Sequence, residues 1–279
     1  MREIEAKKIS NTIKDLCIQA NYELSEDVLK ALKGALKQER SANGKEVINQ
    51  LINNAEIAKK ERYPICQDTG LAIVFIELGQ DVHINGDLIK AVQEGVAKGY
   101  TEGYLRRSVV GHPFNRKNTN DNTPAVIHTE IVPGDKIKIT FMAKGGGCEN
   151  VSRYQMFKPT ASKEEIEKFA LETVDQAGAA PCPPIIIGIG IGGNLEKSGL
   201  LAKKALLREV GKPSNDKDTA NMEKELLIKI NKLGIGPEGL GGVVTALAVH
   251  IDTAPCHIAS LPVTVNIDCH AHRVKEVTL

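Results

Sequence analysis

The sequence predicts a mixed α/β fold of α+β character, with an N-terminal helical layer followed by a mixed-sheet domain and its flanking helices. Three observations predict it. Apolar residues recur at helical spacing through the first sixty positions, the texture shifts near residue 62 to short β-branched runs, and helical patterns return between those runs. The chain of 279 residues, 42% apolar and 25% charged, is long enough to bury a sizeable core in one large domain or two ordinary ones.

The helical layer is expected over 1–61 and one continuous domain over 62–279. Ile4, Ile9, Ile13, Leu16 and Cys17 mark a first helix. Ser25 opens a second with Val28, Leu29 and Leu32 inward. A third runs from Lys45 to about Glu61, with Val47, Leu51, Ile52 and Ile57 on one side. Beyond PICQDTG (64–70), LAIVFIEL reads as a strand and DLIKAVQEGVAKGY as a helix. AVIHTEIV and KIKITFMA read as strands flanking Pro133-Gly134. SKEEIEKFALETV is a helix with Ser162 as N-cap and Glu165 completing a capping box. IIIGIGI is a buried strand, Lys217–Leu233 a further helix, and from Gly234 onward the pattern suggests short strands joined by tight turns.

Lys+Arg of 36 against Asp+Glu of 35 leaves no basic surplus for nucleic acid, and aromatics at 4% without Trp offer no stacking platform. A local pocket for a small anion remains compatible with this balance. The start, MREIEAKKIS, lacks the apolar core of a signal peptide, and APCPPIIIGIGIGG is too short and too broken to span a bilayer. A cytoplasmic location is expected. Six scattered cysteines then read as thiols or metal ligands rather than disulfides.

Several segments hold chemistry-bearing residues, each with an ordinary alternative. Cys66 has no second cysteine nearby, so PICQDTG is neither a redox pair nor a zinc knuckle. Gly188, Gly190 and Gly193 satisfy GxGxxG after a strand, which would suit NAD(P). The acidic residue expected about twenty positions on is replaced by the polar loop GKPSNDKDT, and close backbone packing explains the glycines better. AKGGGCEN (143–150) bares backbone N–H groups beside Lys144, as an anion cradle or simply a flexible turn. Arg106 and Arg107 are solvated surface or a fork for a carboxylate. NTNDNTPAVIH is largely explained by Asx turns. APCPP and NIDCHAHR place cysteines near His257, His270 and His272 without the close-spaced pairs zinc prefers.

Taken in order, PICQDTG, YLRRS, NTNDNTPAVIH, KGGGCEN, AAPCPP with IGIGIGG, PCHIASLPV and NIDCHAHR resemble the class I iron–sulfur fumarate hydratase and L-tartrate dehydratase family, specifically its alpha subunit or N-terminal half. The resemblance extends from about residue 60 to the C-terminus. It implies that Cys66, Cys182 and Cys269 hold a [4Fe–4S] cluster whose fourth iron is open as a Lewis acid. It implies substrate or cluster-edge contacts for Gln67 and Asp68, a catalytic part for Asp68 and His257, and carboxylate binding by Arg106, Lys144 and the backbone of Gly146. Cys148 stands where the family motif has serine and is expected to be a non-ligand in the pocket. Cys17 and Cys256 are expected to be structural.

The implied activity is reversible hydration of fumarate to (S)-malate, with L(+)-tartrate dehydration as the alternative and an NAD(P)-binding oxidoreductase as a remote one. A non-enzymatic scaffold or metal-storage protein is a third class, disfavoured by Arg106, Lys144 and the triglycine. The family's catalytic base lies on its C-terminal half. The resemblance therefore implies a separate beta subunit, an α2β2 assembly, and no membrane or nucleic-acid partner.

Overall fold

The structure, a computed structural model, describes residues 2–279. The chain opens with β1 (Arg2–Glu5), α1 (Ala6–Tyr22), α2 (Glu26–Gln38) and α3 (Ala42–Glu61). Next come β2 (Leu71–Gly79), β3 (Val82–Asn85), α4 (Leu88–Glu102), β4 (Val126–Val132) and β5 (Ile137–Lys144). They are followed by α5 (Gly146–Asn150), β6 (Arg153–Phe157), α6 (Lys163–Ala177), β7 (Ile185–Gly192), α7 (Leu195–Ala205) and α8 (Lys217–Asn231). A 3-10 turn at Pro237–Gly239 precedes β8 (Ala246–Ala254), β9 (Leu261–Asp268) and β10 (Val274–Thr278). The mixed α/β class is observed.

The chain divides into two compact units. The first comprises the residues up to Ser25, Ala55–Gly146 and Arg273–Leu279; the second comprises Glu26–Asn54 and Gly147–His272. The N-terminal helices are thus shared out, with α1 in the first unit and α2 in the second.

In the first unit a mixed sheet has the order β10-β5-β2-β4, and β1 and β3 form a small parallel ribbon. Strand β2 is parallel to β4 and antiparallel to β5. Ala72–Ile76 are all buried, which is why this strand reads as an unbroken apolar run rather than an alternating one. Its core joins Ile9, Ile13 and Leu16 of α1 to Val92, Val96 and Tyr100 of α4 and to Ile137, Ile139 and Phe141 of β5. Asp87 caps α4 by accepting from the Lys90 N–H.

The second unit has its own sheet, in the order β6-β9-β7-β8, and its own core of Phe169 and Val174 from α6, Leu226 and Ile230 from α8, and Ile185, Ile187 and Ile189 of β7. The capping box of Ser162 and Glu165 is present at the start of α6. A Cβ on Gly188 would lie 2.1 Å from the Ala202 carbonyl oxygen, and one on Gly190 2.0 Å from that of Ser198. The glycine-rich strand therefore lets α7 lie directly on its backbone. Asn194 caps α7 through the Lys197 N–H, occupying a donor a pyrophosphate would need.

Three strands escaped the sequence pattern. β1, β3 and β6 have only four or five residues and mixed polarity, so no clean period-2 signal exists. The C-terminal region, expected as short strands, instead contains strands of nine and eight residues. Pro262 sits at the second position of β9, near the strand's start, where its missing N–H is tolerated. Helix α3 starts at Ala42 rather than Lys45, with Ser41 Oγ accepting from the Gly44 N–H at 3.2 Å at its first turn. Among the described residues no helix is long and apolar enough to cross a membrane.

Glu39 ties distant parts of the second unit together. It is 1% exposed, and its carboxylate accepts from the N–H groups of Arg40, Ser41, Val243 and Val244. Burial pushes its pKa up, but the backbone donors at Ser41, Val243, Val244 and Arg40 outweigh that and leave it below the ordinary range. Its stabilising contribution is therefore present above the unfolded-state value and lost as pH falls through the lower folded one. Glu39→Gln should destabilise the protein by about 2 kcal/mol at neutral pH, since the amide N–H₂ would face N–H donors. Denaturant unfolding midpoints should show this gap narrowing as pH falls below about 4.

Candidate functional site

In the first unit the loop 63–70 has no regular structure, yet its last three residues are held by several side chains. Asp68 Oδ1 accepts from the Gly70 N–H at 3.0 Å and Oδ2 from the Gly146 N–H at 2.8 Å. Arg273, buried, donates to the Asp68 carbonyl. Tyr100 Oη donates to the Thr69 carbonyl at 2.6 Å, and burial holds that phenol far above its usual range, so it remains a donor. Gly70 has φ of +76°, and a Cβ there would meet the Ala143 carbonyl carbon at 2.7 Å. Half-buried Cys66 and exposed Gln67 are presented from this support, with Cys66 Sγ donating to Gln67 Oε1 at 3.2 Å.

The N–H of Gly146, expected to meet substrate, is thus donated to Asp68. Lys144, at the end of β5, is only 2% exposed. Arg106 is exposed, and its carbonyl accepts from Thr69 Oγ1 at 2.6 Å, which joins its segment to the PICQDTG loop. Sequence reasoning passed over Asn122. Fully buried with φ of +62°, it donates to the Gly70 carbonyl at 3.1 Å and accepts from the Ser108 and Val109 N–H groups. Its signal was there, since an asparagine in a polar turn is suited both to positive φ and to bridging backbone. Arg273 was likewise missed, although NIDCHAHR ends on it.

In the second unit the loops of Cys182 and Cys269 are adjacent. His270 Nδ1 lies 3.0 Å from the Cys182 carbonyl oxygen and 3.3 Å from Glu238 Oε1, a carboxyl whose pKa burial raises. Cys182 is exposed with φ of +53°, whereas Cys269 is buried. Cys148 is buried too, with Sγ 3.6 Å from the Pro181 carbonyl oxygen. The ligand atoms of Cys148, Asp268 and Cys269 all lie within 4.8 Å of one another. His272 Nδ1 is 2.6 Å from Asp268 Oδ2.

His257 is exposed on the turn after β8, and its Nδ1 accepts from the Ala259 N–H at 3.1 Å. In the neutral ring the proton is then on Nε2. His250, by contrast, is a core histidine: burial first, then Arg208, lower its pKa to about 4, and Nδ1 lies 3.1 Å from the Ala205 carbonyl oxygen. Cys17 is fully buried against Gly99 of α4. Cys256 is exposed, so the structural role expected for it is not seen; a thiol at the surface packs nothing.

The family model described as fumarate hydratase (Fumerase) matches residues 10–278. The chain belongs to this family. The hydro-lyase is 44% identical over 281 residues, 98% of each chain, to a Methanocaldococcus jannaschii protein named "Putative L(+)-tartrate dehydratase subunit alpha". It is 30% identical over 270 residues to the "L(+)-tartrate dehydratase subunit alpha" of Escherichia coli UTI89, covering 95% of this chain and 89% of that one.

Asp68→Asn would replace one accepting oxygen of this hydro-lyase by an N–H₂ facing a backbone N–H. Hydrogen exchange at the Gly70 and Gly146 amides should then quicken by about ten-fold, read by mass spectrometry, while the second unit's sheet stays protected.

Proposed function

We propose that the chain is the alpha subunit of a two-subunit class I fumarate hydratase, interconverting fumarate and (S)-malate with a [4Fe–4S] cluster held by Cys66, Cys182 and Cys269. The observation that carries this reading is the family match over residues 10–278. The donor chemistry fits such a group. Unlike Cys17, which is enclosed by helices, Cys66 and Cys182 lie on loops outside the apolar cores, and Cys269 follows the end of β9 beside the loop of Cys182. When bound, a cluster with three protein ligands supplies an open iron that acts as a Lewis acid on a hydroxyl and its adjacent carboxylate.

The chain's own residues bind and orient. Arg106 offers a permanently charged planar fork to a substrate carboxylate. Gln67 offers an amide beside Cys66. Asp68 keeps lone pairs beyond those used by Gly70 and Gly146, so it can hold the loop and still accept from a substrate hydroxyl. Gly146 then contributes by fixing Asp68, and Lys144 adds positive charge at the same end of β5. His257, with its proton on Nε2, is set to donate a hydrogen bond to a departing hydroxyl.

A beta subunit, in an α2β2 assembly, is proposed to bring the base that removes the C3 proton. The names of the relatives, each a subunit alpha, support this. A cytoplasmic setting would keep the three thiols reduced. Those same names favour a second reading in which L(+)-tartrate is the substrate.

Anaerobic reconstitution with iron and sulfide should give a brown protein, and Cys182→Ser should abolish the colour. A colourless wild-type chain after competent reconstitution overturns the proposal. With a co-expressed beta partner, malate and L-tartrate turnover compared side by side decides between the two substrates. Arg106→Gln should raise KM for the preferred diacid by about 10- to 100-fold, as expected for losing a charged hydrogen bond.

A further inference from the structure

We propose that Cys148, Asp268 and Cys269 form a mononuclear site for a thiophilic divalent cation of the zinc or cobalt(II) type. The two sulfurs and a carboxylate oxygen lie within 4.8 Å of one another, and all three residues are buried. A tetrahedral cation about 2.3 Å from sulfur and 2.0–2.2 Å from oxygen sets its ligands roughly 3.5–3.8 Å apart. Side-chain rotations that draw the donors in by about 1.3 Å at most therefore close the site around an ion.

The chemistry of the donors chooses the ion. Two thiolates favour a soft or borderline cation and disfavour magnesium and calcium, which take oxygen cages. Asp268, 1% exposed, is a buried carboxylate of the kind that needs a partner. His272 supplies one at 2.6 Å and is itself only 4% exposed, matching the outer histidine–carboxylate pairs that orient metal ligands. The Pro181 carbonyl, 3.6 Å from Cys148 Sγ, receives the thiol hydrogen until metal replaces it. Binding is a simple exchange, in which two thiols release two protons and the cation takes both sulfurs, with no change of oxidation state.

Cys269 also belongs to the proposed cluster set, so the single ion and the cluster are alternative occupants of that thiolate. The inference stands on the geometry of the second unit and does not need the cluster reading.

The test uses the full reduced, metal-free chain under anaerobic conditions. Titration with cobalt(II) should give one tetrahedral ion per chain with thiolate-to-cobalt charge-transfer bands, and zinc should displace it. X-ray absorption of the zinc-loaded wild-type chain should count two sulfur ligands, with oxygen or nitrogen completing the shell. Cys148→Ser, its folding checked by circular dichroism, should weaken cobalt binding on the order of 100-fold and remove one sulfur from the count. Three sulfurs would place the ion on Cys66, Cys182 and Cys269 instead and overturn the proposal. So would the absence of thiolate bands at millimolar cobalt, or unchanged binding by the Cys148 variant. Iron–sulfur reconstitution of the same preparation runs in parallel. Two-sulfur zinc binding in a chain that builds no cluster defeats the cluster reading alone, and a brown chain without the two-sulfur site defeats this inference alone.

Discussion

The carboxylate of Asp68 accepts two backbone N–H groups from separate segments, one from Gly70 and one from Gly146. Much else in the first unit follows from that clamp. A loop without ladder partners must still satisfy its backbone donors and acceptors, and the side chains of Asp68, Tyr100, Asn122 and Arg273 do this for 68–70. The charged acceptor makes each of its two hydrogen bonds stronger than a neutral pair would be. Gly70 completes the arrangement, because only a residue without a Cβ can pass Ala143 and Lys144 at positive φ. Cys66 and Gln67 are therefore presented from a stiff support, although the loop itself has neither helix nor strand. That is the condition the proposed ligand thiol and substrate amide would both require.

Legibility in the sequence followed the strength of the local signal. The capping box of α6, the buried runs of β2 and β7 and the period of α1 and α4 are short-range patterns, and they are found where the sequence put them. β1, β3 and β6 are not patterns at all until a partner strand supplies the hydrogen bonds. The cysteine-bearing motifs were readable because several of them occur in one order. The residues that support those motifs were harder to see. Asn122 and Arg273 act on backbone carbonyls far away in sequence, so even where a polar turn hints at the role, the partner cannot be read locally, and Asp268 pairs with His272 only because both are buried.

The second unit shows the same logic with a different currency of contact. The run IGIGIGG suggests a nucleotide loop when read alone. Within the sheet its glycines face the backbone of α7, where a side chain would overlap carbonyl oxygens at Ala202 and Ser198. That close approach fixes β7 against its helix, and β7 in turn pairs with β9, whose end delivers Asp268 and Cys269. Packing and chemistry are consecutive links here. The glycines set the position of the strand beside the one that ends in a buried carboxylate and a thiol.

Arg106 carries the last step. In water a single guanidinium gains little from one carboxylate, because the high dielectric and dissolved salt weaken the attraction. Arg106 is exposed, and so are the large apolar side chains of Tyr104 and Phe114 on the same segment, at 89% and 90%. A loop built to bind a dianion by itself would shield its arginine and bury its aromatic rings. This one leaves both uncovered, and covering them would remove apolar area from water while lowering the dielectric around the guanidinium. The same event would thus stabilise an assembly and turn a weak anion contact into a strong one. That coupling is a physical reason for placing a second subunit in the proposed function, independent of what the relatives are named.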